Sequence, residues 1–206
     1  MKSDSTGKAL AEIKAENPKA IFFECDVTSF TNVQIAIANV ISTFGRLDVA
    51  FNNAGIGGKS SKVGEMQEQE WLHVINVNLN GVFNCMKHEL SQMATQKNGV
   101  IINMSSIMGK VGLATSAHYV AAKHGVIGLT QTAALEYATE GIRINAICPG
   151  FIDTPLLTKI GINRHLDVKQ HIIDLHPMKR LGKAEEIANG FVFLACDDSS
   201  FIVTVR

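Results

Sequence analysis

The chain has 206 residues, 46% of them apolar and 18% charged, with 19 basic and 19 acidic side chains. That length suits one domain with a sizeable core, and the composition excludes a disordered chain. The zero formal net charge argues against a nucleic-acid binder driven by electrostatics, and no apolar run is long enough to span a membrane.

Residues 5–16, STGKALAEIKAE, read as a helix rich in good helix formers, ended by Asn17-Pro18. Residues 20–25, AIFFEC, are a short apolar run that predicts a buried strand, followed by Asp26-Val27-Thr28. The 30–44 segment predicts a helix with Val33, Ile37, Val40, Ile41 and Phe44 on one stripe, stopped by Gly45. Residues 47–51 predict the next strand, which leads into Asn52-Asn53-Ala54-Gly55 and a polar loop to about Gly64. A long helix is expected from Glu68 to Met93, kinked at its centre by Asn76, Asn78, Asn80 and Gly81. Residues 100–104 predict a strand. A helix over 116–138 follows, in which Gly125 and Gly128 would allow close packing. Residues 142–147 predict a strand ending at Cys148-Pro149-Gly150, residues 153–176 one or two short helices, and residues 184–195 the last helix.

Strands alternate with helices, the pattern of a parallel sheet covered on both faces. Ligands of such α/β folds bind beyond the carboxyl ends of the strands. Asp26, Asn53 to Gly55, Ser105-Ser106 and Pro149-Gly150 all fall there. Tyr119 and Lys123, four apart on a predicted helix, share one face. A lysine beside a tyrosine is expected to lower the phenol's pKa and so to suit it to proton exchange with an alcohol or carbonyl. Each feature alone has an ordinary reading: Asp26 as a helix cap, Asn52 and Asn53 as turn residues, Asn78 as a kink residue, Pro149-Gly150 as a turn. Gly58-Lys59-Ser60 resembles the end of a phosphate-binding loop, but Asn53 stands where its first glycine is needed. His165, Asp167, His171, Asp174 and His176 alternate with apolar residues and read as a half-solvated helix rather than a metal site. His118 and His124 read as packing or rim residues. Cys25, Cys85, Cys148 and Cys196 are scattered, with no C-x-x-C pair, and are expected to be buried thiols of a reducing compartment. The amino terminus lacks a signal-peptide apolar region, so the expected location is cytoplasmic.

In this order the motifs resemble those of the short-chain dehydrogenase/reductase family, over about residues 5–200. Asp26-Val27 match the family's adenine-contacting pair, and Asn52-Asn53-Ala54-Gly55 its N-N-A-G, which supports the sheet and lines the adenosine ribose. Asn78 matches the asparagine whose distorted helix holds a proton-relay water. Tyr119 and Lys123 match Y-x-x-x-K, and Ser106, thirteen residues before Tyr119, is preferred to Ser105 as the catalytic serine. Pro149-Gly150-Phe151-Ile152-Asp153-Thr154 match the P-G-x-x-x-T that touches the nicotinamide. The resemblance implies a Rossmann-type doubly wound sheet and an NAD- or NADP-dependent oxidoreductase. Hydride transfer would link a secondary alcohol and a ketone. Tyr119 would be the general acid/base, Ser106 would polarise the substrate oxygen, and Lys123 would bind the nicotinamide ribose. A substrate lid is implied over 153–183, with Leu156, Leu157, Ile160 and Ile162 giving it an apolar character. Family members pair through the helices matching 68–93 and 116–138, which implies a homodimer or homotetramer.

The resemblance also carries departures. The family's first two strands and its glycine-rich T-G-x-x-x-G-I-G, which holds the pyrophosphate at a helix end, have no match here, and neither does its last strand. The residue that chooses NAD over NADP is therefore not legible. The 20–25 strand is expected to stand roughly 14 Å, three strand spacings, from the 47–51 strand. The expectation is a truncated form that binds cofactor poorly; the alternative to an active enzyme is an inactive fragment that acts through oligomerisation alone.

Overall fold

The computed structural model describes residues 4–159 and 166–204. Three apolar runs form its sheet: β1 (Val49–Asn52), β2 (Gly99–Met104) and β3 (Ile142–Ile147), all parallel and in the order β1-β2-β3. Val49 pairs with Val100 and Asn52 with Asn103; Gly99 pairs with Ile142. Parallel neighbours need crossover helices, and these lie between the strands. Residues Glu68–Gln96 join β1 to β2, and α5 (Ala117–Tyr137) joins β2 to β3.

Alternation along β1 shows the two covered faces. Ala50 and Asn52 are buried toward the crossover helices, while the Phe51 ring meets Phe191 of α8 (Ala184–Ala195) with centroids 4.4 Å apart. On the first face Val82, Met86, Leu90 and Met93 pack with Ile101, Ile142, Ile144, Val126 and Ala134 in one core cluster. Burying such a set is the main term that holds sheet and helices together. On the other face Arg143 reaches the carboxyl end of α8, donating to Leu194 O (2.9 Å) and Cys196 O (3.0 Å). A cation there satisfies carbonyls the helix leaves open and suits its dipole.

α1 (Asp4–Glu16) and α2 (Phe30–Phe44) precede the sheet, and α6 (Pro155–Lys159) and α7 (Leu166–Leu175) follow it before α8. Ser29 caps α2, accepting from Asn32 N, and Gly45 ends it in the left-handed conformation. Of the expected stripe Val33 is buried, but Phe44 is exposed.

The expected kink in the 68–93 helix is real. α3 (Glu68–Ile75) and α4 (Gly81–Gln96) are joined without a break by a π turn over Asn76–Asn80, in which Gly81 N bonds Asn76 O. Wide turns of this kind often mark functional sites. Gly125 of α5 packs on it: a Cβ there would lie 2.8 Å from Leu79 Cδ2. Gly128 faces open space and serves no such packing.

Two expectations are corrected. Residues 20–25 form no strand; Ile21 is exposed, and the segment joins no sheet among the described residues. An apolar run signals burial, but a strand also requires a neighbour to complete its ladder. At the other end, residues 202–204 lie beside β3, where Asn145 donates to Ile202 O (2.9 Å) and Thr204 donates to Asn145 Oδ1 (2.8 Å). The edge of β3 is thus covered by side-chain bonds and one backbone bond, Thr204 N to Ile144 O at 3.4 Å, without a ladder. The cysteines are free, but Cys196 is exposed and the other three are only half-buried. No helix among the described residues is long and apolar enough to cross a membrane.

Candidate active site

The ends of β2 and β3 are tied together just where the motifs begin. Ser105 N donates to Ile147 O and Ile107 N to Pro149 O, each at 2.8 Å. The two serines then part. Ser105, buried, donates to Lys123 O at 2.9 Å, so its hydroxyl serves to hold α5. Ser106 accepts from Met108 N at 3.1 Å and lines the same cavity as the Tyr119 phenol. A hydroxyl fixed by one backbone donor keeps its own proton for a partner.

Tyr119 sits in the first turn of α5, and Lys123 one turn on. The Lys123 ammonium donates to Met104 O at 2.7 Å and lies 5.6 Å from the Tyr119 ring centroid. Burial pulls its pKa down to about 8, with Cys148 opposing. The expected lowering of the phenol's pKa by Lys123 is not found. Burial raises the Tyr119 pKa, and the opposing influence is the Ser106 side chain. The ammonium is directed to the Met104 carbonyl and stands over the ring.

Asn78, fully buried in the π turn, clamps the loop after β1: its Oδ1 accepts from Ile56 N and its Nδ2 donates to Ile56 O, both at 2.8 Å. A Cβ on Gly55 would lie 3.3 Å from Asn78 Oδ1 and 3.8 Å from Lys123 Nζ, so the loop backbone passes close to both. Both polar groups of Asn78 are spent on the backbone, a structural use of the residue beside any other. Asn52 supports the sheet, donating to Asn103 Oδ1 (2.9 Å) and to Glu89 Oε2 (3.0 Å).

A cavity of about 370 Å³ opens at the strand ends. Asn53, Ser106, Tyr119, Pro149, Gly150, Ile152 and Thr154 all line it, and so does Ser105. Ile107, Met108, Leu113, Leu156 and Leu157 give it apolar walls, and no charged side chain among the described residues lines it. Ala54, Gly55, Asn78 and Lys123 are not part of this lining. Asp26 and Val27 lie elsewhere: Asp26 is exposed and accepts from Thr28 N (2.9 Å) and Thr28 Oγ1 (2.8 Å), while Val27 O accepts from Asn84 Nδ2 (2.9 Å). Ile160 and Ile162 lie outside the described residues.

Three residues have roles beyond what sequence reasoning gives them: Glu89 is not singled out there, and His118 and His176 read only as packing, rim or half-solvated residues. Glu89 is a buried acid whose pKa burial pushes up to about 7. It stood on the apolar stripe of Val82, Met86, Leu90 and Met93, which was the available signal. His118 and His176 each use both ring nitrogens, on partners that no local pattern reveals.

Comparison with known proteins places this geometry in context. Residues 1–205 match a family model described as enoyl-(acyl carrier protein) reductase. The chain is 41% identical over 199 residues to cyclohexanol dehydrogenase of Acinetobacter sp. (strain SE19), covering 97% of this chain and 76% of that protein. It is 42% identical over 199 residues to 3-oxoacyl-(acyl-carrier-protein) reductase FabG of Staphylococcus epidermidis, covering 97% and 80%. It superposes on the crystal structure of NAD+-bound xylitol dehydrogenase with a TM-score of 0.90 at 34% identity, covering 99% of this chain and 84% of that one.

Proposed function

Because the chain belongs to the short-chain dehydrogenase/reductase family of NAD(P)-dependent oxidoreductases, we propose that it interconverts a secondary alcohol and a ketone with Tyr119 as general acid/base. The observation that carries this reading is the meeting of Tyr119 and Ser106 on one cavity wall, with the Lys123 ammonium over the Tyr119 ring. A phenol whose pKa is raised holds its proton at neutral pH and can deliver it to a ketone oxygen. Ser106, fixed by Met108 N, directs its hydroxyl at the same oxygen. In the reverse direction Tyr119 takes the alcohol proton as the carbon loses hydride.

The nicotinamide of NAD or NADP accepts or supplies that hydride when bound. The cavity is large enough for its flat ring beside a small alcohol. Pro149, Gly150, Ile152 and Thr154 would hold the ring, and Asn53, Ala54 and Gly55 the ribose side. Lys123 would bind the nicotinamide ribose, and Asp26 and Val27 the adenine. Asn78 would serve the proton relay through the π turn it occupies. Residues 153–183 would form the lid. The uncharged, apolar wall supports a neutral substrate, and the relative named cyclohexanol dehydrogenase supports a cyclic alcohol. The helices over 68–93 and 116–138 expose Trp71, Leu72, Phe83 and Leu135, which supports pairing of copies through them.

The test is initial rates of nicotinamide reduction with cyclohexanol, and of nicotinamide oxidation with a small 3-oxoacyl thioester, for the wild type and Tyr119→Phe. Turnover on cyclohexanol that falls at least ~100-fold in the variant is expected. Equal rates in the two proteins would refute the role of Tyr119. No turnover by the wild type would favour a chain that acts through association alone.

A further inference from the structure

We propose that His118 is a positioning residue of this site, a neutral imidazole that ties the turn carrying Tyr119 to the loop after β1. The proposal rests on the reading of Tyr119 as the reacting phenol. Its basis is the unsatisfied backbone at the start of α5. The first N–H groups of any helix lack intrahelical partners, and Ser116, at the N-cap, offers no side-chain bond. The Tyr119 N–H instead meets His118 Nδ1 at 2.7 Å. A nitrogen that accepts from an N–H carries no proton of its own, which assigns the ring proton to Nε2. Nε2 lies 3.1 Å from Lys59 O, an acceptor only. One tautomer satisfies both contacts, and a doubly protonated ring satisfies only one.

The loop is shaped to receive this ring. Gly58 has φ +75°, and a Cβ there would fall 2.6 Å from His118 Nε2 and 2.6 Å from Val74 Cγ2. Glycine is needed both for the backbone conformation and for the approach. On either side of Gly58 the loop is pinned again: Ile56 by Asn78, Lys59 N to Glu70 Oε1 (2.7 Å), and Ser61 N to Thr115 O (2.9 Å). This same loop brings Asn53 and Gly57 to the cavity. One imidazole, 1% exposed, therefore sets the turn carrying the phenol and this cavity-lining loop relative to each other. His124 on the same helix is a useful contrast: it is exposed and bonds only its own helix, at Val120 O.

The two contacts can be separated. Asparagine presents an acceptor where Nδ1 stands, and glutamine an amide donor where Nε2 stands. Ionisation of the Tyr119 phenol can be followed by ultraviolet absorbance, with Tyr119→Phe subtracting the contribution of Tyr137; this needs neither cofactor nor turnover. His118→Asn is expected to titrate like the wild type and to keep kcat within about threefold, with a raised KM for cofactor. His118→Gln is expected to shift the phenol titration and to lower kcat about tenfold, with the cofactor KM held within about twofold. Wild-type titration and kcat in His118→Gln would overturn the proposal, as would equal losses in both variants. Nitrogen-15 NMR of the His118 ring in the wild type gives a reading that does not depend on the variants folding. A proton on Nε2 alone is expected, and one on Nδ1 overturns the assignment. If the wild type shows no turnover, the alcohol–ketone reading fails, while the titration and the ring spectrum still decide the role of His118.

Discussion

Glu89 gives the sharpest prediction. It is 4% exposed on the inner face of α4, and its Oε2 accepts from Asn52 Nδ2 at 3.0 Å. Burial raises its pKa from an ordinary 4.5 to about 7, against the opposing pull of the Asn52 bond. The folded chain therefore keeps a proton here where the unfolded chain has lost it. Because the native state binds more protons through that interval, stability falls as pH rises from 4.5 to about 7 and stays lowered above it. The span corresponds to about 3 kcal/mol. Glu89→Gln keeps an oxygen for Asn52 and has no charge to bury. Urea denaturation of both proteins at about pH 5 and about pH 8 should show the wild type losing about 3 kcal/mol more than the variant across the interval. Parallel pH dependences in the two proteins would show that Glu89 ionises freely in the fold, and the burial argument would fail.

Lys123 gives the opposite sign. Its pKa is lowered from 10.5 to about 8, so the folded chain binds fewer protons between those values and stability rises with pH across that window. Lys123→Met should remove about 2 kcal/mol of that rise between about pH 8 and about pH 10, measured by denaturation, and a persistent rise would refute the assignment. At the proposed lid, His176 Nε2 accepts from Phe151 N at 3.2 Å, Nδ1 lies 2.7 Å from Ile172 O, and the ring meets the Phe151 ring edge-on. His176→Phe keeps the ring contact but not the acceptor. Hydrogen exchange at the Phe151 amide should quicken about tenfold with a higher substrate KM, whereas unchanged exchange would show that α7 (Leu166–Leu175) is held by other means.

How much was legible depends on how local each signal was. The 142–147 strand and the 184–195 helix match their predicted bounds, because period, apolar content and flanking glycines agree within each segment. The meeting of Ser106 and Tyr119 was legible through motif spacing. The electrostatics between Tyr119 and Lys123 were not, since spacing gives proximity and the direction of an ammonium depends on the carbonyl it finds, here Met104 O. AIFFEC was misread as a strand because hydrophobicity reports burial but says nothing about a pairing partner. His118 was read as packing because its second partner, Lys59, is 59 residues away in the chain.

The polar interior beneath the site explains why the strand ends fall where they do. Asn52 and Asn103 are register partners in adjacent strands, and both side chains are buried toward the crossover helices. Asn52 links Glu89 of α4 to Asn103, and Asn103 donates to Thr130 Oγ1 at 2.9 Å, which in turn bonds Val126 O at 2.7 Å. A one-residue slip of β1 against β2 would carry Asn52 to the α8 face. It would leave Asn103 Oδ1 and Glu89 without their donor, at roughly 1–3 kcal/mol for each buried group. An apolar pair in their place would pack as well in several registers. The network thus selects one register, and that register fixes the points at which Asn53 and the Ser105-Ser106 pair emerge from the sheet. The chemistry proposed for Tyr119 requires Ser106 at one of those points, so the buried amides and Glu89 belong to the site's geometry although none of them touches the cavity.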